Sequence, residues 1–473
     1  MLYNRGNRRS YDNWSSSYGA KGWDYESVLP YFRRSENNTS PKIVHKNPGY
    51  HGTSGPMGVS SMAMPDGLLY SFQDQMNRFG IPSIDINGEN QVGTMIYQLT
   101  VKEGYRSGTG NAYLDPNPFP SRLHILANSL VTRILFDQTG SRPKAVGVEF
   151  IRNNLTMTVN AKQEVIISAG CIGSPQLLML SGVGPQDHLK SMNISVVKDL
   201  PVGNNFQDHV FIHQHFEFKS QGLANPPIGP TIEQINDFLT NHQGVLTQLP
   251  NSITFFSTSQ NDDPQWPNAV IDTNVYFVDS DLNTAIAQYG SNREQWAQYW
   301  KPYLGKQYAL ITSAIYRTYS RGTIRLASRD PEAHPLIDPK YLSDTRDLEA
   351  LVNMTKVLYY LTTQGPFAQQ VQLFPRPIPG CKFCTDKPLY QCDSYVRCII
   401  LQTGDTALHP GGACRMGEES RRDVVVDPTT RVKGIDSLRV IDTSIIPELA
   451  NANTHAAAVM IGERAVQFII DGQ

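Results

Sequence analysis

The chain has 473 residues, 40% hydrophobic and 18% charged, enough apolar material for sizeable cores and a composition unlike that of disordered chains. At ~150 residues per domain the length suits two or three domains. The 41 basic and 43 acidic residues leave a net charge of −2, so no basic excess offsets a phosphate backbone, which argues against electrostatic nucleic-acid binding. No apolar run approaches the ~18 residues a bilayer span needs.

Residues 1–14 are polar and Arg-rich, without the apolar centre of a signal peptide. A short helix is expected over 25–33, turns at 51–55, and a helix over 69–79 stopped by Gly80-Ile81-Pro82. From 123 onward the apolar period falls to two, predicting strands at 124–127, 131–136, 145–150 and 155–159. Residues 164–170 form a continuous apolar run, expected as a strand buried on both faces of a parallel sheet. It passes through Gly170 and Gly173 into a helix opened by Ser174-Pro175. Such a junction lets backbone approach a ligand and aims helix N–H groups at it, although an ordinary strand–helix turn fits equally well. Aromatic strands and a polar amphipathic stretch at 283–300 occupy 211–319. A β-segment at 320–331, a helix at 347–361, alternating segments at 424–427 and 438–442 and a last helix at 456–470 complete the chain. The pattern is α/β plus a separate sheet-rich domain.

Four of the six cysteines, Cys381, Cys384, Cys392 and Cys398, crowd into C-x2-C-x7-C-x5-C. Disulfides, a metal site with one usual CxxC arm, or free thiols all satisfy that spacing. Sequons headed by Asn13, Asn37, Asn38, Asn154, Asn193 and Asn353 favour an exported, glycosylated chain.

His409, in His-Pro-Gly-Gly-Ala-Cys-Arg-Met-Gly, and His455, in Asn-Ala-Asn-Thr-His, stand at loop-to-element junctions. Irregular backbone there suits a general base better than an apolar helix face does, and a solvated or structural histidine is the bland alternative. His209, His213 and His215 are spaced H-x3-H-x-H. A helix would put His209 and His213 on one face for a metal, but the flanking Val210-Phe-Ile212 and Phe216-Glu-Phe218 read as strand. The nucleophile elbow G-x-S-x-G and the dinucleotide turn G-x-G-x-x-G are both absent.

Four blocks together resemble the glucose–methanol–choline (GMC) oxidoreductases, in particular the insect-type glucose dehydrogenase branch. Gly170-x3-Ser174-Pro-Gln-Leu-Leu-Met-Leu-Ser-Gly-Val-Gly184 is similar to the family's second signature. Leu200-Pro-Val-Gly-Asn-Asn-Phe-Gln-Asp-His209 resembles its lid-proximal motif, which gives His209 a structural reading. Residues 320–341 resemble the opening of its C-terminal half, and 409–417 with 426–463 its catalytic end. Met1-Leu-Tyr-Asn-Arg-Gly6 looks like the tail of the first signature.

The resemblance implies an FAD/NAD(P)-binding-like domain joined to a sheet-based substrate domain, with 1–210 in the FAD region, 211–319 in the substrate region and 320–465 returning to both. It implies FAD-dependent oxidation of an alcohol or sugar CH–OH group, with quinone, another acceptor or oxygen taking the electrons. His409 matches the base, and His455 the second active-site residue. Val131 matches a backbone contact to the adenine side of FAD. Asp442 and the backbone of Asn453, Thr454, Ala456 and Ala457 match contacts to its ribityl and flavin portions. Relative to the family, Ala413, Gly411 and Cys171 are mild departures. The larger departure is that the family's first βαβ unit, with its G-x-G-x-x-G turn, has no counterpart from Met1 onward. The expectation is therefore an N-terminally truncated member of an FAD-dependent family, the chain alone being flavin-free, with an FAD-free, non-catalytic secreted protein as the alternative reading. Cys381–Cys398 is the expected bridge.

Overall fold

A computed structural model describes residues 2–62, 67–219, 231–247, 251–258, 261–277 and 293–473. Local chemistry explains where the elements begin. The helix Arg8–Tyr18, which no sequence pattern announced, starts where the Asn7 side chain accepts from the Arg9 amide and stops at Gly19, whose φ of 69° few other residues adopt. Its Tyr11 and Trp14 are fully buried. The helices Tyr25–Ser35 and Thr345–Leu361 are capped by Asp24 and Asp344, and Gly67–Arg78 and Thr454–Ile470 match the expected spans to within two residues.

The largest sheet is antiparallel. It runs Val371–Leu373, Val210–Phe218, Gln307–Ile315, Ala269–Phe277, Asn251–Phe256, Gly93–Ile96, with Asp405–Thr406 also pairing to Val210–Phe218. One face packs under Thr345–Leu361 and Asp393–Thr403 through residues such as Ile311, Ile315, Leu351, Met354, Leu358 and Ile399. The other carries Met95, Tyr97, Val270, Ala314 and Tyr316. His213 and His215 lie in the strand Val210–Phe218 rather than on a helix.

A second body holds the meander Leu130–Asp137, Lys144–Arg152, Leu155–Asn160 and the parallel pair Val165–Ile167 with Leu438–Val440. A core from Tyr11, Trp14 and Trp23 through Leu178, Val440, Ile445 and Met460 binds it to the helices Arg8–Tyr18, Gly170–Leu180 and Thr454–Ile470.

Several expectations fail for identifiable reasons. Residues 124–127 form no strand: Ile125 and Leu126 are exposed and the segment has no ladder partner. The run at 164–170 is a strand only over Val165–Ile167 and is not buried on both faces, because Ile166 is 46% exposed and, among the described residues, Leu438–Val440 is the one strand that pairs with it. The following helix starts at Gly170, four residues before Ser174. Val424, Val425 and Val426 are all buried, so that segment does not alternate and makes only isolated bridges. Of the stretch 283–300, only Arg293–Trp300 is a described helix; the rest lies outside the described residues.

Cys381 bonds Cys398, as expected, and Cys384 bonds Cys392. Asn154 and Asn193 are exposed, but Asn38 is buried and its amide donates to Glu36, so that sequon cannot carry a glycan in this fold. No described helix is long and apolar enough to cross a membrane.

Candidate active site

His409 lies where the chain, leaving the helix Asp393–Thr403, folds back over residues 207–209. Gln207 and Gly411 exchange backbone hydrogen bonds of 3.0 Å in both directions, and the Ala407 amide donates to the His209 carbonyl at 2.9 Å. Gly412 makes the turn possible: its φ is +83°, and a Cβ there would sit 2.7 Å from the Asn205 carbonyl oxygen.

The Asp208 carboxylate organises this strap. Its Oδ1 accepts from the backbone amides of His209 (2.8 Å) and His409 (2.9 Å). Its Oδ2 accepts from the Tyr341 hydroxyl at 2.7 Å and from Thr406 Oγ1.

The ring of His409 is buried, and burial lowers its pKa from 6.5 to about 4. At neutral pH it is a neutral imidazole, the form a base requires. Its Nδ1 is 3.0 Å from His209 Nδ1, and its Nε2 is 3.0 Å from Asn453 Nδ2. Tyr97, just beyond the strand Gly93–Ile96, donates its hydroxyl to Asn453 Oδ1 at 3.2 Å. His209 stacks on Tyr316 with ring centroids 4.3 Å apart. Burial, then the neighbouring His409, holds His209 well below the usual histidine range.

The helix Thr454–Ile470 starts beside this network. Asn453, its N-cap residue, makes no side-chain cap, because that amide is spent on His409 and Tyr97. Buried Ala456 and Ala457 follow in the first turn. His455 Nδ1 is buried without a hydrogen-bond partner among the described residues, and burial lowers its pKa. The structure thus joins His409 to Asn453 rather than to His455. Asp442 Oδ2 accepts from the Gly170 amide at 3.0 Å and from Ser174 Oγ, and Oδ1 from the Ser444 amide at 2.7 Å. Val131 lies apart from this network, in an open cleft of about 500 Å³ shared with Val165, Ile167 and Ala169.

Two matches to known families fit this architecture: GMC oxidoreductase models align with residues 1–211 and 318–462. The glucose dehydrogenase (FAD, quinone) of Drosophila pseudoobscura pseudoobscura is 32% identical over 99% of this chain and 72% of its own length.

The chain belongs to the GMC oxidoreductase family.

Human mitochondrial choline dehydrogenase is 34% identical over 100% of this chain and 74% of its own length. In fold, an Aspergillus oryzae RIB40 formate oxidase variant superposes with a TM-score of 0.83 at 22% identity, covering 100% of this chain and 82% of the other. The GMC fold is that of a flavoenzyme, an FAD-binding domain joined to a sheet-based substrate domain, and its cofactor is FAD. An uncapped helix N-terminus beside a buried, unpaired histidine nitrogen fits the electron-rich edge of a flavin.

The sequence singles out His409 and residues 451–457 as candidates, and the structure brings His409 and Asn453 into contact. The sequence does not announce the Asn453 side chain against the His409 ring, the Asp208 clamp, or the contact of His209 with His409. Their sequence signal is only that Asp208 and His209 adjoin in one motif.

Proposed function

We propose that this GMC oxidoreductase oxidises a CH–OH group of an alcohol or sugar with His409 as base. The observation that supports this most is a buried, neutral imidazole whose Nε2 faces an amide donor at the N-terminus of the helix Thr454–Ile470.

An aliphatic hydroxyl does not ionise at neutral pH, so hydride loss from its carbon needs a base, worth ~10²–10⁴ in rate. His409 Nε2 takes the hydroxyl proton. His455 would be the second polar side chain, hydrogen-bonding the substrate oxygen as negative charge develops. FAD, when bound, supplies the hydride acceptor that no side chain can. Val131 would meet its adenine side through the backbone. Asp442, whose carboxylate is engaged with Gly170, Ser174 and Ser444, would act through its backbone, as would Asn453, Thr454, Ala456 and Ala457 at the ribityl and flavin portions. A quinone, another acceptor or oxygen completes the cycle. Two disulfides and exposed sequon asparagines support a secreted, glycosylated protein.

In FAD-loaded protein assayed with glucose or choline and a dye acceptor, His409→Ala should lower turnover by ~10²–10⁴ with flavin content unchanged. Equal turnover would remove His409 from the role of base. A purified wild-type protein without flavin absorbance, even after incubation with FAD, would remove the enzymatic reading itself.

A further inference from the structure

A histidine acts as a base only through the ring nitrogen that lacks a proton, and the partner of the other nitrogen decides which one that is. In this fold that partner is a second histidine. His209 and His409 are 200 residues apart in sequence, yet their Nδ1 atoms lie at 3.0 Å. Two nitrogens at that distance form a hydrogen bond only if one donates and the other accepts.

The far side of His409 indicates the direction. The Tyr97 hydroxyl donates to Asn453 Oδ1, which turns the amide so that Nδ2–H points at His409 Nε2. Nε2 therefore accepts, and the single proton of the neutral ring resides on Nδ1. That proton is donated to His209 Nδ1, so His209 carries its own proton on Nε2. That Nε2 is buried and makes no hydrogen bond among the described residues. His209 is itself immobilised: it is fully buried, stacks on Tyr316 at 9° between planes, and follows Asp208, whose Oδ1 grips the backbone amides of both histidines.

We propose that His209 is a positioning residue for His409, holding it in the Nδ1–H tautomer so that Nε2 stays unprotonated, accepting from Asn453 until a substrate hydroxyl displaces that amide. The inference rests on the reading of His409 as the base. It gives the Asp-His end of the 200–209 motif a role of its own: Asp208 places the His409 backbone, and His209 selects the protonation pattern of the ring.

Two substitutions separate this from mere packing. His209→Phe keeps a flat ring on Tyr316 but removes the acceptor. His209→Asn is smaller yet can offer an amide oxygen to Nδ1–H. Ring-¹⁵N NMR of histidine-labelled protein at pH 7 reports the tautomer of His409 without any need for turnover. Wild type should show a protonated Nδ1 and an unprotonated Nε2. His209→Phe should lose that pattern and lower kcat, with glucose or choline as probe, by about tenfold or more, and His209→Asn should restore both in part. A wild-type spectrum with the proton on Nε2 would overturn the proposal, as would a His209→Phe variant with unchanged tautomer or unchanged kcat. Failure of the underlying reading is distinct: there His409→Ala itself keeps wild-type turnover, whatever the tautomer.

Discussion

Glu36 has no solvent contact and ends opposite Arg5, which is equally buried; its carboxylate also accepts from the Gly52 amide and from Asn38. Burial alone would raise the Glu36 pKa, but Arg5 and the His51 hydrogen bond outweigh it and the net shift is downward. The Arg5 guanidinium further reaches the Tyr50 carbonyl and the Tyr3 hydroxyl. Breaking one side of such a buried pair leaves a bare charge, which costs about 3–5 kcal/mol. Glu36→Gln should therefore lower unfolding free energy by that order in urea titration, and a change below about 1 kcal/mol would contradict the charge assignment. The same carboxylate explains His51. Its Nδ1 faces Glu36 Oε1 at 3.0 Å and its Nε2 faces Asp85 Oδ2 at 2.8 Å, so only the doubly protonated ring can donate to both. Burial opposes that charge, and the two carboxylates overcome it, raising the pKa.

Between elements, the strap that carries His409 depends on one turn. Alanine at position 412 would have to adopt a φ near +83° and place its Cβ against the Asn205 carbonyl, so Gly412→Ala should cost about 2 kcal/mol or more. A thermal or urea melt checks it, and a neutral result would mean the strap is held otherwise. This scale also shows what sequence could and could not convey. Helices such as Thr345–Leu361 and strands such as Lys144–Arg152 were legible because an apolar period and a cap or turn lie within the element itself. Residues 124–127 have a strand-like pattern but nothing to pair with, a fact that belongs to the rest of the chain. His409 was legible through a contiguous motif. The apposition of His209 with His409 was not, because it arises from backbone pairing between Gln207 and Gly411 across the fold. Asn453 was expected to serve through its backbone, and its side-chain contact follows from Tyr97, which lies between the strands Gly93–Ile96 and Gln98–Leu99, far away in the chain.

For the molecule as a whole, buried histidines set the response to pH. His213 is lowered to about 3 and His409 to about 4 by burial, and His209 and His215 lie well below the usual range for the same reason. Between these values and the unfolded pKa of about 6.5 the unfolded chain binds more protons, so stability rises with pH and falls on acidification, by up to ~1.4 kcal/mol per pH unit for each ring. His51 works the other way: its stabilisation is full below about 6.5 and is lost as pH rises through its raised folded value. The urea midpoint should therefore drop steeply from pH 6.5 to 5, and a flat profile there would contradict the burial of these rings as neutral species. The apolar cores and the sheet bring His409, Asn453 and His455 to the N-terminal end of the helix Thr454–Ile470, where His409 is proposed to act as base. The most direct measurement is the rate of anaerobic flavin reduction by an alcohol or sugar substrate in FAD-loaded wild type and His409→Ala. With His409 as base the rate should be at least ~10² slower in the variant at equal flavin occupancy; equal rates would exclude that role.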